Sequence, residues 1–499
     1  MENEIELKPR LAPDSANRVL RTPALRGLRE GQSRTRRLVS VYFDTPDCAF
    51  AARGVALRIR RTGRARVQTV KGKLTDGNGG SLQRHAEWTT DVSGDLPELH
   101  KITDRKLREV LFKRAAKNGL CEVFRTVIER RTVPLVFEET HIELAFDRGT
   151  VCSGEREEAI CEVELELLEG DPTRLYDLAL LLAAELPLSV EHRTKSARGY
   201  GLYNGTAPRP ARAGKLKLAP AMTVWEGFVS IARDCLTQLQ ANEAPVLAGE
   251  DPEGIHQARI AVRRLRAALS AFESVLAPAE LELFSGEMRW LQQCLGPARD
   301  WDVLIGESLN PLAAEIGHND GLGELLARVE AEREEACRAA RDVLRTERYA
   351  KFQLRLERWL DSGGSGLGAG PLRPFAVQVM DRYDRTLSRA GRRLENLPEN
   401  ELHAVRIKAK KARYAAEFFR ALFDKKGVLR YIAAVSGIQD HLGALNDATV
   451  ARSLMVEAGF GDLPGQALPD GWFARAIVWG KGGFDPVWKK YRTARGYWR

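Results

Sequence analysis

Glu4-Ile5-Glu6-Leu7-Lys8 is the stretch from which the rest of the chain can be read. In an extended strand, successive side chains point to opposite faces. Glu4, Glu6 and Lys8 therefore share one face, and Ile5 and Leu7 share the other, the face suited to packing. The arrangement returns in Leu57-Arg58-Ile59-Arg60, in Lys71 and Lys73 after Thr69, and in Glu162-Val163-Glu164-Leu165-Glu166. A half-buried strand also alternates, and its polar face is then simply wet. Several strands that each cluster charge in this way ask for more. Carboxylates side by side repel unless a cation sits between them, and grouped Arg and Lys call for an anion. A closed barrel with a polar lumen would bring both sets together: acidic groups to hold a divalent cation through oxygen ligands, basic groups to clamp a phosphate chain.

Working outward, residues 1–205 read as strand-rich. Short alternating segments fall at Glu4–Lys8, Val39–Phe43, Val55–Arg60, Val67–Lys73, His141–Asp147 and Ile160–Leu167. Turn formers such as Asp76-Gly77-Asn78-Gly79-Gly80 separate them, and the spacing predicts helices over Asp104–Lys117 and Pro172–Leu186. Residues 206–219, rich in Pro, Gly and Ala, read as a linker. From 220 to 499 the pattern changes to amphipathic helices: Trp225–Gln240, Gly254–Leu276, Leu281–Leu295, Glu324–Leu344 and Glu401–Phe423, with a Gly/Ser break near 361–370. The 499 residues carry a net charge of +9. Residues 1–205 contribute +3 of it and the remainder +6, too little in either half for bulk charge to name a partner beyond some polyanion.

Several classes are disfavoured. The longest apolar run, near Leu178–Leu182, is far short of a membrane span. Glu2, Glu4 and Glu6 are the opposite of a basic signal-peptide start. Seven cysteines, odd in number and without CxxC or Cys/His spacing, read as reduced thiols, so a cytoplasmic location is expected. No Gly-x-x-x-x-Gly-Lys-Ser/Thr loop and no Ser-His-Asp arrangement is present. His85, His100, His141 and His192 lack ligand spacing and read as structural.

At the N-terminus the residues reach a family resemblance. Glu4-Ile5-Glu6-Leu7-Lys8 resembles the ExExK signature of the CYTH superfamily, the triphosphate tunnel metalloenzymes. Tyr42-Phe43-Asp44-Thr45, Leu57-Arg58-Ile59-Arg60, Val70-Lys71-Gly72-Lys73, Cys161-Glu162-Val163-Glu164-Leu165-Glu166 and Lys195-Ser196-Ala197-Arg198-Gly199-Tyr200 follow in that family's order. The resemblance covers about residues 1–203. It implies an antiparallel eight-stranded β tunnel with flanking helices that binds triphosphate compounds with Mg²⁺ or Mn²⁺. It puts Glu4, Glu6, Glu162 and Glu164 at the metal, Lys8, Lys71 and Glu87 at catalytic positions, and Arg58, Arg60, Lys73, Arg84, Arg130, Lys195 and Arg198 on the substrate, with Arg125 competing with Arg130. One departure stands out. The family's Arg-x-Glu is here Arg84-His85-Ala86-Glu87, so either a bulge restores the face or only one of Arg84 and Glu87 looks into the tunnel.

The helical half repeats itself. His256-Gln257-Ala258-Arg259-Ile260-Ala261-Val262-Arg263-Arg264-Leu265-Arg266 matches His403-Ala404-Val405-Arg406-Ile407-Lys408-Ala409-Lys410-Lys411-Ala412-Arg413 at an offset of 147 residues. The same offset carries Phe272 onto Phe419, Leu295-Gly296 onto Leu442-Gly443 and Asp300 onto Asp447. A duplicated helical unit with approximate two-fold symmetry follows. On a helix, His256, Arg259, Arg263 and Arg266 form one stripe, and His403, Arg406, Lys410 and Arg413 form its equivalent, with Arg264 and Lys411 beside them. Solvated helices normally mix signs, whereas these stretches hold no acid.

The paired motifs resemble the CHAD domain over about residues 220–460. That resemblance implies two four-helix units and places inorganic polyphosphate on His256, Arg259, Arg263, Arg264, Arg266, His403, Arg406, Lys410, Lys411 and Arg413. A flexible polymer with a charge on every phosphate needs many cations in a groove, and aromatic side chains do not interleave with the stripes, which argues against single-stranded nucleic acid. Asp300 and Asp447 are expected to orient helices or stripe cations. Trp472, Trp479, Trp488 and Trp498 are expected to cover the bundle.

Together these readings give a metal-dependent hydrolase of inorganic triphosphate in the tunnel, joined to a polyphosphate-binding helical domain. Bacterial proteins of this make-up are most similar to inorganic triphosphatases. No membrane partner and no specific nucleic acid are expected, and association with polyphosphate granules is left open. A non-catalytic polyphosphate-binding or targeting protein and a cyclase acting on ATP are the alternatives.

Overall fold

The structure is a computed structural model that describes residues 2–11, 18–73, 82–316, 320–363, 368–391, 399–458 and 484–499. It divides into two compact units: Met1–Pro208 with Arg345–Ser362, and Arg209–Leu344 with Gly363–Arg499.

The first unit is built on ten strands: β1 (Glu2–Leu7), β2 (Pro9–Leu11), β3 (Arg34–Asp44), β4 (Val55–Thr62), β5 (Ala65–Lys73), β6 (Gln83–Asp91), β7 (Cys121–Phe137), β8 (Thr140–Ser153), β9 (Arg156–Glu169) and β10 (Leu188–Val190). Their order is β1-β6-β5-β4-β3-β7-β8-β9-β2-β10, with β1 also pairing β9. That extra pairing closes β1, β6, β5, β4, β3, β7, β8 and β9 into an antiparallel ring. The eight-stranded tunnel expected from the sequence is therefore present, and closure leaves the ring with no free edge.

The long hairpins follow from their turns. Thr62 pairs Ala65, Phe137 pairs Thr140 and Ser153 pairs Arg156, so each loop has two residues. Such loops need positive φ. Gly63 and Gly154 supply it at +60° and +57°, while Glu138 and Glu139 adopt +46° and +61° without glycine. Arg174 holds Glu138 at 2.7 Å. The outward apolar sides of the strands pack with Leu175, Leu178 and Leu182 of the helix Thr173–Glu185.

The helix Lys195–Asn204 is tied to the ring by motif residues. A Cβ on Gly199 would come within 2.2 Å of the Phe124 ring, so only glycine fits there. Buried Asp44 accepts hydrogen bonds from the backbone of Thr45, Phe50 and Ala51 and, at 2.8 Å, from the Tyr200 hydroxyl.

The second unit is helical. Val224–Ala241, Glu253–Phe272 and Pro278–Val303 are followed by Asp320–Val343. Leu372–Ala390, Glu399–Phe418 and Lys425–Glu457 are followed by Phe484–Ala494. The first three starts recur within one residue of the 147-residue offset, as the internal repeat requires. Repeat-related Phe272 and Phe419 meet at 5.9 Å between ring centroids, and Phe272 also touches the related pair Phe228 and Phe375. Equivalent residues that touch one another lie near a two-fold axis. Arg266 donates to Gln292 at 2.6 Å, and its equivalent Arg413 donates to Gln439 at 3.1 Å.

The segment before the first long helix is fixed rather than loose. Asn242, fully buried, accepts from the Ala211 backbone N–H and donates to the Ala211 carbonyl. Trp498 is buried and donates to Asp381, and Trp488 packs on Tyr491; Trp472 and Trp479 lie outside the described residues. All seven cysteines are free thiols. Among the described residues, no helix is long and apolar enough to cross a membrane.

Candidate active site

Strand register decides which charged side chains meet. On β9, Glu162, Glu164 and Glu166 alternate with Val163 and Leu165, both fully buried in the core. Glu162 lies opposite Asp147 of β8, and Glu166 lies opposite both Glu143 of β8 and Glu6 of β1. Asp147 in turn faces Arg130 of β7. Across the ring, Lys71 faces Glu87, Arg58 faces Tyr42 and Arg60 faces Ser40. The polar face of the N-terminal strand is thereby joined to those of the strands read with it.

The acidic side is organised around buried cations. Carboxylate oxygens of Asp147, Glu162 and Glu164 all lie within 4.8 Å of one another. Lys195 reaches all three, at 2.8 Å from Asp147 and 2.7 Å from Glu164. Arg130 grips Asp147 through two hydrogen bonds of 2.7 Å and also contacts Glu164. Arg198 bonds Glu162 at 3.2 Å and Glu158 at 3.0 Å. Burial opposes ionisation of Glu164, but Arg130, Lys195 and Lys8 overcome it and hold the carboxyl well below its ordinary range. Lys8 bonds Glu6 at 2.6 Å and Gln83 at 3.1 Å, and Glu6 and Glu164 raise it against the effect of burial.

Two groups have charge around them left unbalanced. Burial pushes Glu166 up to about 7, with help from Glu4, Glu6, Glu143 and Glu164. On the basic side, Arg58, then burial, then Arg130 push Arg60 down to about 10. Arg58 lies 3.7 Å from Glu87, and its buried Nε has no hydrogen-bond partner among the described residues. Lys71 lies 2.9 Å from Glu87 and also contacts Glu4. Among the described residues, carboxylates thus outweigh cations around Glu166 and cations outweigh carboxylates around Arg60. An all-carboxylate oxygen set suits a hard divalent ion such as Mg²⁺ or Mn²⁺.

Glu6, Lys8, Arg130, Glu162, Glu164, Lys195 and Arg198 therefore join one connected set of side chains, and Glu4, Arg58, Lys71 and Glu87 join a second. Arg60 feels both through charge, Arg58 from one and Arg130 and Glu164 from the other, and contacts Ser40 at 3.4 Å. Arg125 stays outside, paired with Glu122 at 2.7 Å. β6 runs against both neighbours without a register shift, so Glu87 lies opposite Lys71 while Arg84 takes an alternate position opposite Ile5. The side chains of Lys73 and Arg84 lie outside the described residues. Asp147, Glu143 and Glu166 complete the acidic set, although the sequence reading gave them no ligand role. Continuing the alternation from Glu143 through Ala145 to Asp147 is the signal that could have found the first two.

In the second unit, both stripes contribute to a cavity of about 500 Å³ lined by His256, Arg263 and Arg264 from one helix and Arg413 from the other, with Arg212 and Arg420. The remaining stripe residues are directed elsewhere or lie outside the lining. Arg259 turns to Asp300 at 3.0 Å and to the Gly296 carbonyl, Arg266 to Gln292, and Lys411 to Ser270 at 3.1 Å. His403, Arg406 and Lys410 are not among the lining residues. Arg264 is held by Asp234 and Gln238, and Arg413 by Glu417. Burial and nearby Arg299 hold His256 below the ordinary histidine value. Asp300 acts on a stripe cation, as expected; the side chain of Asp447 lies outside the described residues.

The CYTH domain model matches residues 2–200, and the CHAD domain model matches residues 230–456. The inorganic triphosphatase of Haemophilus influenzae is 30% identical over 205 residues, 40% of this chain. The chain spans about half of that relative, 55% of its length. An uncharacterized protein of Mycobacterium tuberculosis is 24% identical over 468 residues, 87% of this chain and 86% of its own. The crystal structure of the CHAD domain from the plant Ricinus communis is 32% identical, covers 57% of this chain and 96% of that one, and superposes with a TM-score of 0.51. The chain thus carries a CYTH domain over residues 2–200 and belongs to the CHAD family through residues 230–456.

Proposed function

We propose that the tunnel hydrolyses inorganic triphosphate with the help of Mg²⁺ or Mn²⁺, and that the helical half binds inorganic polyphosphate. The observation that carries this reading is geometric: one closed ring gathers Asp147, Glu162 and Glu164 within 4.8 Å of one another and sets Arg58, Arg60 and Lys71 in the same lumen. The inorganic triphosphatase named above supports the substrate class. The tunnel's task falls to residues 1–205 together with the helix Glu347–Asp361 and the second task to the rest of 220–499, and a cytoplasmic location goes with both.

A divalent ion bound by the carboxylates, with Glu4, Glu6, Glu162 and Glu164 among them and Asp147 added, would supply charge neutralisation and a polarised water. The chain's own residues do the rest. Arg58, Arg60 and Arg130 hold the phosphate chain, and the Arg58 Nε, without a partner among the described residues, offers it a donor. Lys8 and Lys71, fixed by Glu6 and Glu87, neutralise charge that builds on the transferred phosphoryl group. Lys195 and Arg198 keep the acidic strand in place. Closure of the ring limits water to what the lumen admits.

Phosphate release by the purified full chain from tripolyphosphate, ATP, thiamine triphosphate and long polyphosphate tests the proposal. Fastest release from tripolyphosphate, lost in Glu4→Ala, is expected. Formation of cyclic nucleotide from ATP without phosphate release would replace it with the cyclase reading.

A further inference from the structure

The helix Glu347–Asp361 is encoded within the helical half of the sequence, yet it belongs to the compact unit that contains the tunnel. Its apolar face buries Ala350 and Leu354 in the same core as Leu175 and Leu178. Its polar contacts are specific. The Tyr176 hydroxyl donates to Glu357 at 3.2 Å and to Asp361 at 2.8 Å, and Arg358 pairs with Asp177. Gln353 is 1% exposed, and its Oε1 lies 2.7 Å from Nε2 of His192. An amide oxygen can only accept, so the contact calls for His192 to carry its proton on Nε2.

His192 sits where two restraints on Lys8 converge. The Glu191 N–H donates to the Lys8 carbonyl at 2.8 Å, which fixes the lysine's main chain. The His192 carbonyl accepts from Gln83 Nε2 at 3.4 Å, while Gln83 Oε1 accepts from Lys8 Nζ at 3.1 Å, which fixes the lysine's head. A buried side chain that orients such a segment controls the direction of the ammonium group without touching the ligand, as outer partners do around metal ligands.

We propose that Gln353 is a positioning residue for Lys8, so that the tunnel site is completed by a segment outside the 2–200 stretch that defines the domain by sequence. The functional part of this inference rests on the triphosphatase reading; the structural part does not. The test uses full-length protein and two readouts. In Gln353→Leu, kcat/KM for tripolyphosphate is expected to fall about 10-fold, mainly in kcat, because an outer partner of a reacting group is typically worth 10–100-fold. Gln353→Glu, which keeps an acceptor toward Nε2, is expected to recover most of it. The second readout needs no turnover: the rate at which acetic anhydride labels Lys8, followed by mass spectrometry. Lys8 is 5% exposed and is expected to label slowly in the wild type and faster in Gln353→Leu.

Wild-type labelling and wild-type kcat/KM in Gln353→Leu overturn the proposal, even if the melting temperature drops, since that combination marks a merely structural side chain. If the wild type itself releases no phosphate, the triphosphatase reading fails, and Lys8 labelling alone then decides whether Gln353 positions the lysine. If Gln353→Leu does not fold, Gln353→Asn, one methylene too short to keep the contact, carries the same test.

Discussion

The tunnel and the helical cavity use the same cation types and differ in how they settle the charge. In the helical unit, Arg264 has Asp234, Arg259 has Asp300 and Arg413 has Glu417, so several stripe cations are partly answered by the protein itself. In the tunnel, charge among the described residues is uneven by position: the carboxylates of Glu4, Glu6, Glu143 and Glu164 act on Glu166, and the guanidinium groups of Arg58 and Arg130 outweigh Glu164 at Arg60. A helix surface lets long side chains turn toward whatever acid is near. A closed ring fixes each Cβ by register and leaves it less choice. The proposed function follows that difference: a ligand of both signs, an anion with its cation, for the tunnel, and an anion for the helical cavity.

The largest expected effect separates the two regions outright. Glu164→Gln removes the shared partner of Lys8, Arg130 and Lys195. Phosphate release from tripolyphosphate should fall by on the order of 10²–10³-fold, the usual loss when one preorganised electrostatic group is removed. Stability should fall by about 3–5 kcal/mol, because buried cations lose their partner. Polyphosphate affinity should stay as it was, and a parallel loss measured by calorimetry would break the comparison. Arg58→Ala comes next, with kcat/KM down about 100-fold; a steady-state titration with tripolyphosphate checks it.

A pH titration sharpens the contrast within the tunnel. In metal-free protein, Glu166 titrates near 7 against 4.5 for the ordinary group. The folded state then binds more protons than the unfolded one between those values. The stabilisation from Glu166 is therefore complete below about pH 4.5 and is lost as pH rises through about 7. Thermal melts of Glu166→Gln should show a flatter decline over that window than the wild type; equal slopes would remove Glu166 from the account.

The smaller effects belong to the helical unit and to the outer wall. Arg263→Ala, at the cavity lining, should weaken polyphosphate binding by about 3- to 10-fold and reduce its salt dependence, as loss of one cation among several does. Arg125→Ala should change neither activity nor stability by more than about 0.5 kcal/mol, because its pair with Glu122 is solvent-exposed.

Much of this was legible in the residues. Alternation in Glu4–Lys8 and Glu162–Glu166 located the polar lumen, and the 147-residue repeat located the helix pairs because duplication copies whole helices, down to the Arg266–Gln292 and Arg413–Gln439 bonds. Asp147 was harder to see. Its strand separates the charges of Glu143 and Asp147 by Ala145 on the same face, which weakens the pattern, and pairing with Glu162 brings Asp147 to the site. The placement of Glu347–Asp361 had no local signal, since an amphipathic helix shows that it packs and not on what. Gln83 and Gln353 were silent because uncharged amides give no pattern until their partners are known.

One measurement bears most directly on the central claim. Full-length protein stripped of metal with EDTA is assayed for phosphate release from tripolyphosphate, then again after Mg²⁺ or Mn²⁺ is restored, with Glu164→Gln alongside. The account predicts no release without metal, release on re-addition, and little release from the variant. Release that ignores metal, or none under any condition while polyphosphate still binds, would contradict it.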